Sequence, residues 1–175
     1  FPGEPGVKGC VGDFNEDGID DFILTGLYSE GETTKSFLRV YLCQSEGDPV
    51  LAYNNLEFTI GGNGAIDCYK KTDGSWIVAI QGGNLGNWTN PFTAATYKLT
   101  VDGTTANMEL ANNLDFGAGR GSILLLDVDG DDMPDIFQNG WVANADWTDQ
   151  ANLYLNDGDD WFMLQDESGI VKASN

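Results

Sequence analysis

The side chains best placed to do chemistry are the oxygens of a nine-residue acidic loop that occurs twice. The first copy runs Asp13-Phe14-Asn15-Glu16-Asp17-Gly18-Ile19-Asp20-Asp21. The second runs Asp127-Val128-Asp129-Gly130-Asp131-Asp132-Met133-Pro134-Asp135. Side-chain oxygens stand at loop positions 1, 3, 5 and 9 in both: Asp13, Asn15, Asp17 and Asp21, then Asp127, Asp129, Asp131 and Asp135. Alternate residues of a tight turn can aim at one centre, and hard oxygens suit calcium, which takes roughly 6–8 of them. Position 7, Ile19 or Met133, lacks a side-chain oxygen and would offer its backbone carbonyl. Turns rich in Asp and Gly are common between strands, but a turn alone does not require four ligand positions to coincide twice. Two calcium sites are therefore expected. A helical EF-hand is not: its loop needs a bidentate acid at position 12 and flanking helices. Position 12 here is Leu24 or Gln138, and a β-type run follows each loop (Phe22-Ile23-Leu24; Ile136-Phe137).

The elements that must position these loops are short strands. The chain has 175 residues, a length usual for one domain, and its apolar fraction of 41% allows a sizeable core. Its 23 glycines and short apolar runs favour many strands joined by tight turns, and no stretch has a helical apolar period. No segment approaches the ~18 apolar residues of a membrane span. The chain begins at Phe1 and has no signal peptide, which suggests a processed or trimmed product.

Formal charge is −20, from 28 acidic and 8 basic residues, which argues against a nucleic-acid partner because phosphate neutralisation needs Lys and Arg. Ten of the acids lie in the two loops. Without cations those clusters repel themselves, and bound divalent ions would link metal binding to folding. There is no His, which removes His-based triads, His general bases and the commonest zinc ligand. The acid pairs sit in loops that cation binding already accounts for, and no nucleophile–base pair stands out, so an enzyme is not expected. The three cysteines, Cys10, Cys43 and Cys68, form no CxxC pair. One disulfide plus a free thiol and three buried thiols are both compatible with the sequence.

The loops begin 114 residues apart, at 13 and 127, so a middle copy is expected near residue 70. The stretch Asp67 to Ser75 fits in degraded form: with Asp67 at position 1, Tyr69, Lys71 and Ser75 fall at positions 3, 5 and 9. It is expected to bind no calcium, with the Lys71 ammonium pairing with Asp67 in place of an ion. Apolar strands with Tyr recur downstream (Phe37–Leu42, Thr96–Leu99, Asn152–Leu155). Each is followed by a Gly-containing hairpin turn and a further strand (Val50–Tyr53, Asn107–Leu110, Trp161–Leu164), then by polar turns at Asn54-Asn55 and Asn112-Asn113. Asn156 to Asp160 reads as such a turn and not as a third cation site. The clearest strand leading into a loop is Gly121–Leu126. The expected unit is strand, acidic loop, strand, strand, turn, strand, about 55–60 residues long, repeated at approximately 1–57, 58–115 and 116–175. Four-stranded units at this period are the signature of propeller blades. The expected fold is all-β and β-propeller-type, with three four-stranded blades in one domain.

The loop pattern, the stretch from Asn152 to Phe162 (NLYLNDGDDWF) and Phe116-Gly117 ahead of Leu126-Asp127 resemble FG-GAP/VCBS repeats. The resemblance covers nearly the whole chain, strongly in the first and third repeats and weakly in the second. It implies calcium-binding blades like those of integrin α subunits and of secreted lectin-like and bacterial surface proteins. Asp13, Asn15, Asp17, Asp21 and Asp127, Asp129, Asp131, Asp135 would then hold calcium within a blade. The second loop departs in having Asp132 where Gly is usual. The functions implied are extracellular binding or adhesion towards protein or glycan, a subunit of an extracellular filament or matrix, or a segment of a carbohydrate-active enzyme. Propellers typically close with about 4–8 blades. Three blades imply a homo-oligomer, a filament or part of a larger propeller. Asn87-Trp88-Thr89 is a glycosylation sequon. Trp141 and Trp147 flank a polar stretch and could stack on sugar rings, although large aromatics also fill cores. The corresponding stretch of the first repeat, Tyr28 to Ser36, reads as a loop without Trp.

Overall fold

The computed structural model describes residues 6–56, 58, 62–83, 92–114, 117–141, 149–156, 158 and 162–164. Among them there is no helix, and the strands form three antiparallel four-stranded sheets. Sheet 1 holds β1 (Lys8–Gly12), β2 (Asp21–Glu30), β3 (Thr33–Leu42) and β4 (Val50–Asn55), side by side in chain order. Sheet 2 holds β5 (Gly62–Lys70), β6 (Trp76–Gly83), β7 (Thr93–Asp102) and β8 (Thr105–Leu114), and sheet 3 holds β9 (Ile123–Leu126), β10 (Asp135–Trp141), β11 (Asp149–Asn156) and β12 (Phe162–Leu164). Each sheet is a plain meander, and each acidic loop joins its first two strands.

Sheet 2 lies between the other two. Burial on both sides explains why β6, Trp76-Ile-Val-Ala-Ile-Gln-Gly-Gly83, is apolar without alternation. Val78 and Ile80 pack with Ile23, Leu38 and Val40 of sheet 1, while Ile77 and Ala79 pack with Ile123, Leu125, Ile136 and Tyr154 of sheet 3. Each fully buried Ile, Leu or Val contributes roughly 1.5–3 kcal/mol. The strand period of two makes Asp21 and Ile23 share a face, and Asp135 and Phe137 likewise. In sheet 1 that face is packed on sheet 2. In sheet 3 it is the opposite face, carrying Ile136, that packs on sheet 2. The three sheets thus stack in the same sense along the chain, with β1 against β5 and β5 against β9.

Four expectations need correction. Asn54 and Asn55, expected as a turn, are the last residues of β4, opposite Arg39 and Leu38. Asp67 lies inside β5, paired with Ala79, and Lys70 pairs with Trp76, so the turn of the middle repeat is only Lys71 to Ser75. Asp67 therefore does not start a loop. Its Oδ1 accepts from the Cys68 N–H (2.9 Å) and its Oδ2 from the Leu125 N–H of sheet 3 (2.9 Å), making it a strut between sheets. Tyr28 to Ser36 is not a loop but the end of a long hairpin, with Tyr28 opposite Lys35 and Leu27 opposite Ser36. Asn112 and Asn113 lie within β8, opposite Thr96 and Ala95, because a register shift at Thr96/Tyr97 lets the strand continue. A similar shift occurs at Val40/Tyr41 in the third strand of sheet 1. Bulges of this kind raise local twist.

Backbones approach closely where each sheet begins. A Cβ on Gly64 would lie 1.8 Å from the Gln81 carbonyl oxygen, and one on Gly121 would lie 1.8 Å from the Asn139 carbonyl oxygen. Only glycine fits such a crossing without backbone movement. Gly121→Ala is expected to cost about 2–4 kcal/mol by overpacking, seen as a lower urea midpoint. Gly6→Ala, with nothing within 4 Å of the added Cβ, is expected to change stability by less than ~0.5 kcal/mol.

Candidate metal centre

Both acidic loops wrap in the same way, and the last carboxylate is the anchor of each. Asp21 is the first residue of β2 and is fully buried. Its Oδ2 accepts from the Phe14 N–H (2.9 Å) and its Oδ1 from the Cys43 N–H (2.8 Å), one residue past β3. Asp135 repeats this at the start of β10. Its Oδ2 accepts from Val128 N–H (2.7 Å) and its Oδ1 from Asn156 N–H (3.0 Å), the last residue of β11. Each carboxylate therefore ties the start of its own loop to the end of the third strand.

The rest of each loop winds about position 1. Asp13 accepts from the N–H groups of Asp17 (3.0 Å) and Gly18 (2.9 Å). Asp127 accepts from Gly130 (2.6 Å) and Asp132 (3.1 Å). Position 3 accepts from the position-5 N–H in both: Asn15 from Asp17 (3.2 Å) and Asp129 from Asp131 (3.3 Å). Position 5 accepts from position 7: Asp17 from Ile19 and Asp131 from Met133, both at 2.9 Å. Asn15 also donates its Nδ2–H to Asp17 Oδ2 (3.0 Å). The winding needs left-handed backbone at positions 4 and 6. Glu16 (φ 61°) and Gly18 (φ 85°) supply it in the first loop, Gly130 (φ 84°) and Asp132 (φ 66°) in the second. One glycine per loop suffices, at position 6 in one and position 4 in the other. Asp132 therefore adopts the glycine-like conformation expected of its position, at the steric cost a Cβ brings there.

In the second loop, carboxylate oxygens of Asp127, Asp129 and Asp135 all lie within 4.8 Å of one another. Burial, then the charges of Asp131, Asp135 and Asp127, hold the Asp129 carboxyl above its usual range. Burial likewise raises Asp21, against the lowering effect of the Cys43 and Phe14 N–H donors. Three converging carboxylates crowd negative charge in the second loop, and a divalent cation is the natural complement. The donor set consists of hard oxygens and excludes a thiolate or imidazole site. The residues present thus fit calcium: Asp127, Asp129 and Asp135 would hold it in one loop, and Asp13, Asn15 and Asp21 are their positional counterparts in the other. A bound cation would neutralise the crowded carboxylates.

The first loop also reaches sheet 2. Glu16 Oε1 lies 2.8 Å from Lys70 Nζ, and the Phe14 ring meets Trp76 edge-on at 4.8 Å between centroids. Lys70 also stands 6.0 Å from the Trp76 ring centre. The pair Glu16–Lys70 is largely exposed and contributes little; the aromatic contact carries more. Sequence reasoning missed this link, although Lys70 and Trp76 do flank the degraded loop. That loop lines a cavity of about 110 Å³ with Lys71, Asp73, Ser75, Trp76 and Lys98. Hydrogen bonds from Ser75, helped by Lys71 and Lys98, lower the Asp73 carboxyl. Trp141 ends β10 and is 37% exposed, with the Arg120 guanidinium 5.2 Å from its ring centre. Asn87 and Trp147 lie outside the described residues.

In calcium-free buffer, Asp135→Ala is expected to destabilise the chain by about 2–4 kcal/mol, because two backbone N–H groups lose a charged acceptor. Asp131→Ala, at an exposed position, is expected to cost under ~1 kcal/mol in the same buffer. Urea unfolding with chelator present separates the two. No protein-family model, curated protein or solved structure matches this chain.

Proposed function

We propose that the chain is an extracellular, calcium-stabilised binding module of the β-propeller type, whose two acidic loops each hold one calcium ion as a structural staple. The observation that carries this reading is the repeated loop: the same hydrogen-bonded winding twice, with three carboxylates converging in the second copy. The same-sense stacking of three meander sheets supports a propeller-type arrangement. In this role calcium ties the first two strands of a sheet and the end of the third into one unit. The ligand would be a protein or glycan bound on surfaces that the staples hold rigid, and Trp141, partly exposed at the rim of sheet 3, is a candidate sugar-stacking residue.

A second reading is assembly through the free sheet faces. On sheet 1 the row Val11, Phe22, Tyr41 and Leu51 crosses all four strands. Val11 is 63% exposed, and Phe22 stacks on Tyr41 at 5.0 Å. Sheet 3 exposes Leu124 and Leu126 on the face that, in sheet 1, is packed against its neighbour. Two such faces of opposite sense suit head-to-tail contact between copies, or with further sheets of the same kind.

Calcium titration of chelator-stripped protein tests the first reading. Two ions per chain are expected, each adding about 2.7 kcal/mol of stability at a free concentration a hundred times its dissociation constant. Asp17→Ala and Asp131→Ala should each lose one ion and Lys71→Ala none. A melting temperature indifferent to millimolar calcium would defeat the proposal. Light scattering with and without chelator tests the second: assemblies larger than one chain are expected to weaken on Val11→Asp, and a strictly monomeric chain rules copy-to-copy assembly out. A glycan array separates a sugar ligand from a protein one.

A further inference from the structure

We propose that Cys10 and Cys68 are a redox-active pair that closes into a disulfide across the seam between sheets 1 and 2, leaving Cys43 as the free thiol. The inference does not rest on the calcium reading, since neither thiol belongs to the carboxylate network.

Cys10 is buried on the face of β1 that packs against sheet 2, and Cys68 joins the same apolar cluster from β5. The Cys68 thiol lies 3.6 Å from the carbonyl oxygen of Val11, the residue next to Cys10. β1 and β5 pack directly on one another. The neighbouring Cys68 thiol, together with burial and the nearby Asp67 charge, holds Cys10 far above the ordinary thiol range. No disulfide joins the two thiols in the structure.

Topology excludes the other pairing from β1. Cys43 follows β3, and β2 separates β3 from β1. Two strand spacings amount to about 9–10 Å, beyond the roughly 7 Å Cα separation that a disulfide tolerates. Cys43 is held at that place by its N–H bond to buried Asp21.

The chemistry is thiol–disulfide exchange with a small-molecule disulfide as oxidant. Cys68 is half-buried and is the sulfur that the oxidant reaches. It loses its proton to water and its thiolate attacks the reagent, forming a mixed disulfide and releasing one reagent thiolate. Cys10 then gives up its proton and its sulfur attacks the Cys68 sulfur. That step forms the Cys10–Cys68 bond, breaks the mixed disulfide and releases the second reagent thiolate. The two protein protons end on the two reagent thiols, so two protein thiols are oxidised and one reagent disulfide is reduced. The bridge fastens the sheet 1–sheet 2 seam beside the Phe14–Trp76 contact.

The test is equilibration of the folded chain in oxidised and reduced glutathione, followed by alkylation and peptide mapping. The free thiol count is expected to fall from three to one, with Cys43 alone alkylated and Cys10 linked to Cys68. The melting temperature should rise on the order of 5–10 °C and return on reduction. The same treatment in concentrated urea should give mixed pairings, which shows that the fold selects the partner. Cys43→Ala should still form the bridge, and Cys68→Ser should leave Cys10 reduced. A native-state bridge that includes Cys43, or three thiols still free under oxidising poise, overturns the proposal.

Discussion

The structure depends on two buried carboxylates. Asp21 and Asp135 stand where a loop re-enters its sheet, and each accepts one N–H from the loop and one from the end of the third strand. Burying a carboxylate costs several kcal/mol unless donors meet it. These donors are backbone groups whose own strands run out at that point, so the carboxylate completes their hydrogen bonding. The loop is thereby shaped by the chain's own hydrogen bonds, and the same shaping crowds Asp127 and Asp129 against Asp135. The anchor that organises the backbone is thus also the most buried member of the proposed cation site.

The middle sheet follows a different solution. Its turn is too short to hold an acidic loop, and Trp76 occupies the first position of its second strand, opposite Lys70. Instead of anchoring a loop of its own, sheet 2 supports its neighbours. Trp76 packs on Phe14, Lys70 reaches Glu16, and Asp67 receives the Leu125 N–H. Apolar burial on both faces fits this position, because a sheet sandwiched between two others has no face to give to water. The seam towards sheet 1 is also where Cys10 and Cys68 share one apolar cluster.

Much of the fold was readable in the residues. The spacing of Asp, Asn and Gly in the two intact loops, and the apolar runs after them, located β2 and β10 closely. Gly-containing turns between Tyr-bearing strands located the third and fourth strands. The reading failed where period outweighed local pattern. The repeat period favours Asp67 as the head of a loop, yet Ile66 to Tyr69 alternate as a strand between two packed sheets. Asn112 and Asn113 looked like a turn by composition, but a register shift carried β8 through them.

The sequence by itself determined the strand alternation, the number of four-stranded units and the two sets of ligand-type oxygens, because these follow from local periodicity and from the chemistry of side chains close in the chain. Tertiary structure alone decided which carboxylates are buried, which backbone groups they serve, how Lys70 came to face Glu16 and how Cys68 came to face Cys10. Those outcomes join residues from different strands and sheets. They depend on the sense in which sheets stack and on registers set by bulges and close glycine crossings, which no short-range spacing encodes.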